Sequence, residues 1–282
     1  MALHIMIHER SAAGTQSVVR AINLLKLFSD EKPEWSLSEL ARAASLNKTT
    51  AHRLLTTLER AGLLARNPRS GAYRLGPEII ALGGRALRAN DLRSAGLADL
   101  EALAAGVGEA ATLEILVGDQ VLILEEIAAR HLIAPWQTIG TRHPAHATST
   151  GKLLLAFLPP AERAAVLRPP LVALTEHTIT DLTALERQLD DIRARGYATA
   201  CGELEPDYVA VSAPVRNHDG QVVAAVSIGG PASRLNSDRL PDVIAHVRLA
   251  GQRISERLGH TTPAPGRTLS VFIKETSLWQ PN

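Results

Sequence analysis

Residues 36 to 58, SLSELARAASLNKTTAHRLLTTL, constrain this chain more than any other stretch. Leu37, Leu40, Ala41 and Ala44 recur at i, i+3, i+4 and i+7, which gives a first helix one apolar face. Ser36 with Glu39 three residues later has capping-box spacing and marks its start. Ala51, Leu54, Leu55 and Leu58 repeat the pattern in a second helix, with Asn47 placed to cap it through its side-chain oxygen. Residues 44 to 46 separate the two, too few for anything but a sharp angle, as in a helix-turn-helix. The polar face of the second helix carries Lys48, Thr49, Thr50, His52, Arg53 and Thr56, with no acidic residue before Glu59. Such side chains donate to phosphates and base edges, and a helix N-terminus favours phosphate. A solvated face in a small bundle has the same spacing, so the flanking sequence decides.

On the N-terminal side, Val18, Ala21, Ile22 and Leu25 mark an apolar stripe, widened by Leu24, Leu27 and Phe28, that predicts a helix over 17–29. On the C-terminal side, Gly62 ends the second helix. Leu63–Arg66 and Ala72–Leu75 then read as two short strands around NPRSG, with Gly71 able to take φ > 0. Three helices and a hairpin make a winged helix-turn-helix, with Arg66, Arg69 and Arg74 where a wing meets phosphates or the minor groove. Charge agrees. Formal net charge over the whole chain is only +1, yet residues 15–76 hold ten Lys/Arg against five Asp/Glu. A basic head on a mildly acidic body fits a DNA-binding module joined to a domain with another task.

The 282 residues suffice for two domains with sizeable cores. Residues 1–14 show no pattern and read as a flexible arm. Residues 15–76 form the winged module and 77–90 a linker and contact helix opened by Pro77. Gly83 and Gly84 weaken that helix unless another helix packs closely on it. Residues 91–260 form the second domain: a helix over about 91–105 and strands over 111–117 and 120–127 around Gly118-Asp119. A loop with a short strand follows over 128–147, then helices over 148–158, 160–167 and 181–195, with Gly196 as a stop. Strands over 209–215 and 221–228 and a last helix over about 237–258 complete it. Hairpins and helices in this order predict an α+β fold, an antiparallel sheet flanked by helices. The tail, 261–282, reads as disordered.

Several chemistries are excluded or disfavoured. A single cysteine, Cys201, allows neither an intrachain disulfide nor a Cys-based zinc site, and no His or Lys adjoins it in sequence to activate it. TSTGKLL (148–154) fails the phosphate-loop pattern, because His146 and Leu153 stand where Gly and Ser/Thr are required. It reads better as a helix start whose free N–H groups can hold a carboxylate. His143 and His146 have metal-ligand spacing but no Cys or acidic cluster beside them, so no metal is expected. Glu203, Glu205 and Asp207 read as a solvated turn rather than an acid/base set. No Ser/His/Asp arrangement stands out, and no cofactor is expected. MALHIMIHER has no signal-peptide core and no apolar run reaches the roughly 20 residues that span a bilayer, so a cytoplasmic protein with no membrane partner is expected.

With these pieces in place the chain resembles the IclR family of bacterial transcriptional regulators from about Thr15 to Gly259. The marks are VVRAINLL, TTAHRLLTTLERAGLL, YRLG, TGKLLLAFL, the TITD run, RARGYA, SAPV and AAVSIGGP. The resemblance implies a winged helix-turn-helix joined by the linker helix to a GAF-like effector domain. It further implies a small organic acid as effector, assembly as a homodimer or homotetramer, and a palindromic double-stranded DNA operator. Carried over residue by residue, it places Ser149 and Thr150 at the effector, with Ala200, Ala210, Ser227 and Gly229 on the pocket wall. Ala200, Ala210 and Gly229 stand where the family commonly has Asp, Cys and Ser, Gly202 departs from one of its acidic pair, and Asp207 replaces a usual Gly. Three polar groups are thereby missing, which predicts an aromatic or medium-chain carboxylate, with Trp136 as a further apolar contact. The expectation is therefore an effector-responsive, DNA-binding regulator and not an enzyme. The alternative is a small-molecule hydrolase or transferase with an accessory helical domain, for which no catalytic constellation is visible.

Overall fold

The computed structural model describes residues 15–129 and 139–261. The arm, Trp136 and nearly all of the tail lie outside the described residues. The chain divides into two compact units, Met1–Asn90 and Asp91–Asn282.

The first unit holds α1 (Gln16–Leu25), α2 (Leu37–Ala43), α3 (Lys48–Arg60), β1 (Leu64–Arg66), β2 (Tyr73–Leu75) and α4 (Pro77–Arg88). The capping box at α2 is formed on both sides, Glu39 N–H to Ser36 Oγ at 3.3 Å and Ser36 N–H to Glu39 Oε2 at 2.9 Å. Lys32 Nζ adds a bond of 2.9 Å to Glu39. That bond first, and then those from Ser36, hold the Glu39 carboxyl down at about 2. Asn47 Oδ1 accepts from Thr50 N–H at 2.8 Å and caps α3. Between the helices Ser45 takes φ 52°, the left-handed step that turns α3 away from α2. Leu24, Leu40, Ala41, Ala51, Leu55, Leu58, Leu64 and Tyr73 form the core.

Two expectations for this unit change. α1 stops at Leu25 rather than Ser29, and Leu27 and Phe28 pack on the core from the turn that follows. The face turned inward is Ala21, Leu24 and Leu25, while Val18 and Ile22 stay exposed. The wing is also broader than a hairpin. Trp35 N–H donates to Tyr73 O at 2.9 Å and Tyr73 N–H to Trp35 O at 2.8 Å, so the segment before α2 adds a bridge to β2.

The second unit begins with α5 (Asp91–Val107), β3 (Ala110–Val117), β4 (Gln120–Ile127), β5 (Arg142–Pro144) and a 3-10 turn at Ala145–Ala147. It continues with α6 (Ser149–Phe157), α7 (Pro160–Val166), α8 (Leu182–Arg195), β6 (Ala198–Cys201), β7 (Tyr208–Arg216), β8 (Val222–Pro231) and α9 (Leu240–Arg257). The sheet runs β5-β4-β3-β8-β7-β6, with every pair antiparallel. Its strand residues alternate between two cores. Ala111, Leu113, Val209, Val211, Val226 and Ile228 pack with α5 and α9. Ala198 and Ala225, on the opposite face, pack with α6 and α8. α6 is buried from Ser149 to Ala156, a central helix closed at its C-terminus by Arg193, whose Nε donates to Ala156 O at 2.7 Å.

β6 is missing from the sequence reading, which ran from the α8 stop to Val209 without a strand. Ala-Thr-Ala-Cys is short and low in β-formers, and it is held as a strand by pairing with β7. The expected solvated turn is corrected as well: Glu203 is buried and paired, as described below, while Glu205 and Asp207 are exposed. Asp207 adopts φ 57°, which accounts for a conformation that glycine accommodates at that point.

Candidate DNA-binding face and effector site

α3 buries Ala51, Leu55 and Leu58 against the core, and this rotation fixes what the other side presents. Lys48, Thr49, His52 and Arg53 are exposed, with Thr50 and Thr56 half-buried along the margin. At the wing, Asn67 Oδ1 accepts from Arg69 N–H at 2.9 Å, Gly71 takes φ 69°, and Asn67 Nδ2 donates to Glu34 at 2.9 Å. Arg69 and Arg74 are exposed and, with Lys48 and Arg53, make no ion pair among the described residues. Arg66 differs. Its Nε lies 3.2 Å from Glu59 Oε2, its Nη2 donates to the Tyr73 hydroxyl, and its guanidinium sits 4.6 Å from the Tyr73 ring centre. Much of its charge is therefore taken up inside the unit.

The carried-over effector residues meet on one face of the large sheet. Register places Ala200, Ala210 and Gly229 side by side across β6, β7 and β8, with Ser227 two residues away along β8 on the same face. α6 packs on these same strands. Thr148 Oγ1 accepts from Gly151 N–H at 3.0 Å, and the N–H groups of Ser149 and Thr150, both buried, have no acceptor among the described residues. Gly151 is required by packing: a Cβ there would lie 2.2 Å from Ala145 O.

Four groups at this face were not singled out from sequence. Glu114 on β3 is buried, and a bulge in the β3–β4 pairing falls between Leu113 and Glu114. Its Oε2 accepts from Thr150 Oγ1 at 2.6 Å and its Oε1 from Thr112 Oγ1 at 2.6 Å. Thr112 Oγ1 lies 2.7 Å from Ser227 Oγ. Burial pushes the Glu114 carboxyl up, against these two hydroxyls. Ser212 faces Ser227 across β7–β8, and its buried hydroxyl has no hydrogen-bond partner among the described residues. Tyr208 covers Gly229, where a Cβ would lie 2.2 Å from its hydroxyl. Burial first, then Glu205, Glu126, Glu114 and Glu109, push that phenol up to about 12. The wall expected to be apolar beside Ala210 and Gly229 thus carries a phenol and a carboxyl. The usable signal was Thr112 and Glu114 two apart on a strand otherwise rich in apolar residues.

The Gly-Lys pair turns out to be structural on both sides. Lys152 is fully buried and its Nζ lies 2.5 Å from Glu203 Oε1. Burial pulls the Lys152 ammonium down and Glu203 opposes the shift. The start of the TITD run and the threonine three residues before it hold the Glu203 turn, with Thr178 Oγ1 donating to Glu203 O at 2.7 Å and Thr175 Oγ1 to Gly202 O at 2.6 Å. His146 is bonded through Nε2 to Val172 O at 2.9 Å, and no metal-binding group of three His, Cys, Asp or Glu occurs among the described residues. No helix among them is long and apolar enough to cross a membrane.

Comparison with known proteins agrees with this construction. Residues 17–68 match the IclR helix-turn-helix domain and residues 84–256 the bacterial transcriptional regulator IclR C-terminal domain. The HTH-type transcriptional regulator KipR of Bacillus subtilis is 34% identical over 87% of this chain and 98% of its own. An IclR transcriptional regulator from Alicyclobacillus acidocaldarius is 31% identical, with a TM-score of 0.76 over 86% of this chain and 98% of that one. An IclR homologue from Microbacterium hydrocarbonoxydans, solved in complex with 4-hydroxybenzoate, is 30% identical, with a TM-score of 0.73 over the same shares. The relatives are named transcriptional regulators, which removes the enzyme alternative. The chain belongs to the IclR family of bacterial transcriptional regulators, with a DNA-binding helix-turn-helix domain and a C-terminal effector domain.

Proposed function

We propose that α3 enters the major groove of a palindromic operator and that an aromatic or medium-chain carboxylate modulates the binding. The observation that carries the first half is the outer face of α3. Lys48 and Arg53 stand exposed and without ion pairs among the described residues, beside Thr49 and His52, on a helix anchored from behind by Leu55 and Leu58. Arg69 and Arg74 would meet the flanking backbone from the wing. For the effector, the unbonded N–H groups of Ser149 and Thr150 suit a carboxylate, and the row of Ala200, Ala210 and Gly229 brings no side-chain donor of its own. The relative solved with 4-hydroxybenzoate supports an aromatic acid over a two- or three-carbon keto acid. The linker helix α4 would carry effector occupancy to the winged module.

Gel-shift titrations at several salt concentrations test the DNA half. Arg53→Ala should weaken operator binding by about 1–3 kcal/mol if Arg53 reads a base pair bidentately. Lys48→Ala, meeting phosphate only, should weaken specific and random DNA alike and lower the salt slope by about 1. Unchanged affinity in both would sink the assignment. Calorimetry with glyoxylate, pyruvate and a benzoate series tests the effector half, and tight glyoxylate binding with no response to aromatic acids would overturn it.

A further inference from the structure

We propose that the effector carboxylate binds together with one proton, held by Glu114, so that this regulator responds to the acid rather than to its anion. The inference rests on the carboxylate reading of the effector site, and it follows from counting hydrogens in the chain Thr150–Glu114–Thr112–Ser227.

An ionised carboxylate only accepts, and each hydroxyl has one proton to give. With Glu114 ionised, Thr150 gives its proton to Oε2 and Thr112 gives its proton to Oε1, each across 2.6 Å. Thr112 then has only lone pairs for Ser227, so across their 2.7 Å contact the Ser227 proton must point to Thr112. All three hydroxyls are directed inward. Toward a ligand, Ser227 presents lone pairs backed by a negative charge, the wrong polarity for a carboxylate.

One proton on Glu114 reverses this. Placed on Oε1, it is donated to Thr112, Thr112 donates to Ser227, and the Ser227 O–H is released to the ligand. Placed on Oε2, it is donated to Thr150, whose own O–H is released instead. Either way one proton taken from solvent uncovers one hydroxyl donor and removes one negative charge, and no bond other than O–H is made. A carboxylate arriving beside a second carboxylate favours the same outcome, because two such groups close together share a proton.

The surroundings of Glu114 offer little to oppose it. From β4, Glu126 adds like charge, while the Thr112 and Thr150 hydroxyls and, from β5, His143 favour the ionised form. Tyr208 of β7 is a neutral phenol. Lys152 of α6 is paired with Glu203, and β8 brings the uncharged Ala225 and Ser227 alongside β3. Burial acts in the same direction.

The test is calorimetry of benzoate and hexanoate binding to the full chain across neutral pH, in phosphate and in Tris, whose ionisation enthalpies differ. About one proton should be taken up per acid bound, and affinity should fall about tenfold per pH unit once Glu114 is ionised in the free protein. In Glu114→Gln the amide N–H donates permanently to one of the threonines and fixes the released arrangement. That variant should bind without proton uptake, independently of pH, and more tightly than the wild-type protein at alkaline pH. The proton count on the wild-type protein stands even where the variant fails to fold. Binding of either acid with a pH-independent affinity and no proton exchange overturns the proposal and leaves the carboxylate reading intact. Failure of both acids to bind at any pH removes that reading, and the proton linkage with it.

Discussion

Arg66 lies against the Tyr73 ring and close to Glu59, whereas Arg69 stands at the tip of the wing with no ion pair among the described residues. The two should therefore separate stability from binding. Arg66→Ala loses an exposed ion pair and a cation–π contact, together worth about 1 kcal/mol, so its melting temperature should drop. Arg69→Ala should melt with the wild-type protein and bind operator less tightly. Melting curves beside gel shifts decide it, and an Arg69→Ala protein that melts early while binding normally would make the wing tip structural. Residues such as Ser36, Glu39 and Asn47 were legible because their partners lie within three positions. Glu114 was not, because Glu on a strand is ordinarily solvent-facing. Its buried partner Thr150 comes from α6, 36 positions on, and only the packing of that helix on the sheet supplies it.

At the scale of elements, α6 is tied to the turn after β6 by Lys152 and Glu203, and one oxygen of Glu203 is buried without a partner among the described residues. Removing one member of such a pair leaves the other charge buried and alone. Glu203→Ala should cost about 3–5 kcal/mol, while the double change Lys152→Met, Glu203→Leu should recover most of that loss. Urea unfolding of the three proteins would show it; a Glu203→Ala protein of ordinary stability would mean that water reaches the lysine. Helices with a stop or a cap were readable: α8 begins at an Asp181 cap and ends at Gly196 with φ 73°. β6 and the Trp35 bridge were not, since β6 is held by its pairing with β7 and the bridge by Tyr73 rather than by any pattern of their own. The inward face of α1 was legible only in part: Ala21 and Leu25 pack on the core as expected, but its apolar residues cover more than half a turn, and the structure buries Leu24 and leaves Val18 and Ile22 exposed.

For the whole molecule, the partition of charge read from the sequence coincides with a division into two units. We infer that α4 meets a second copy. It buries no residue of its own, Ile80 is 79% exposed, and nothing lies within 4 Å of the position a Gly83 Cβ would take. Gly83 and Gly84 then make sense as a close-approach face. Ile80→Asp should dissociate the assembly in sedimentation velocity while leaving the helical circular dichroism in place, since burying one isoleucine per copy is worth about 1.5–3 kcal/mol. An unchanged sedimentation coefficient would place the contact elsewhere.

The sheet order described above also carries a history. Its middle is the β3–β8 pairing, and Thr112 and Ser227, which touch there, stand 115 positions apart in the chain. The winged module is closed by contacts within residues 15–76, and such local structure forms early, whereas distant pairings wait on loop closure. During synthesis, the DNA-reading half can thus mature while the sensing half is still an open row of strands. Only when β8 leaves the ribosome do Thr112, Glu114 and Ser227 come together. The element that completes the sheet would also complete the proposed sensor, so a chain cut short before β8 should keep the reader and lack the proposed switch.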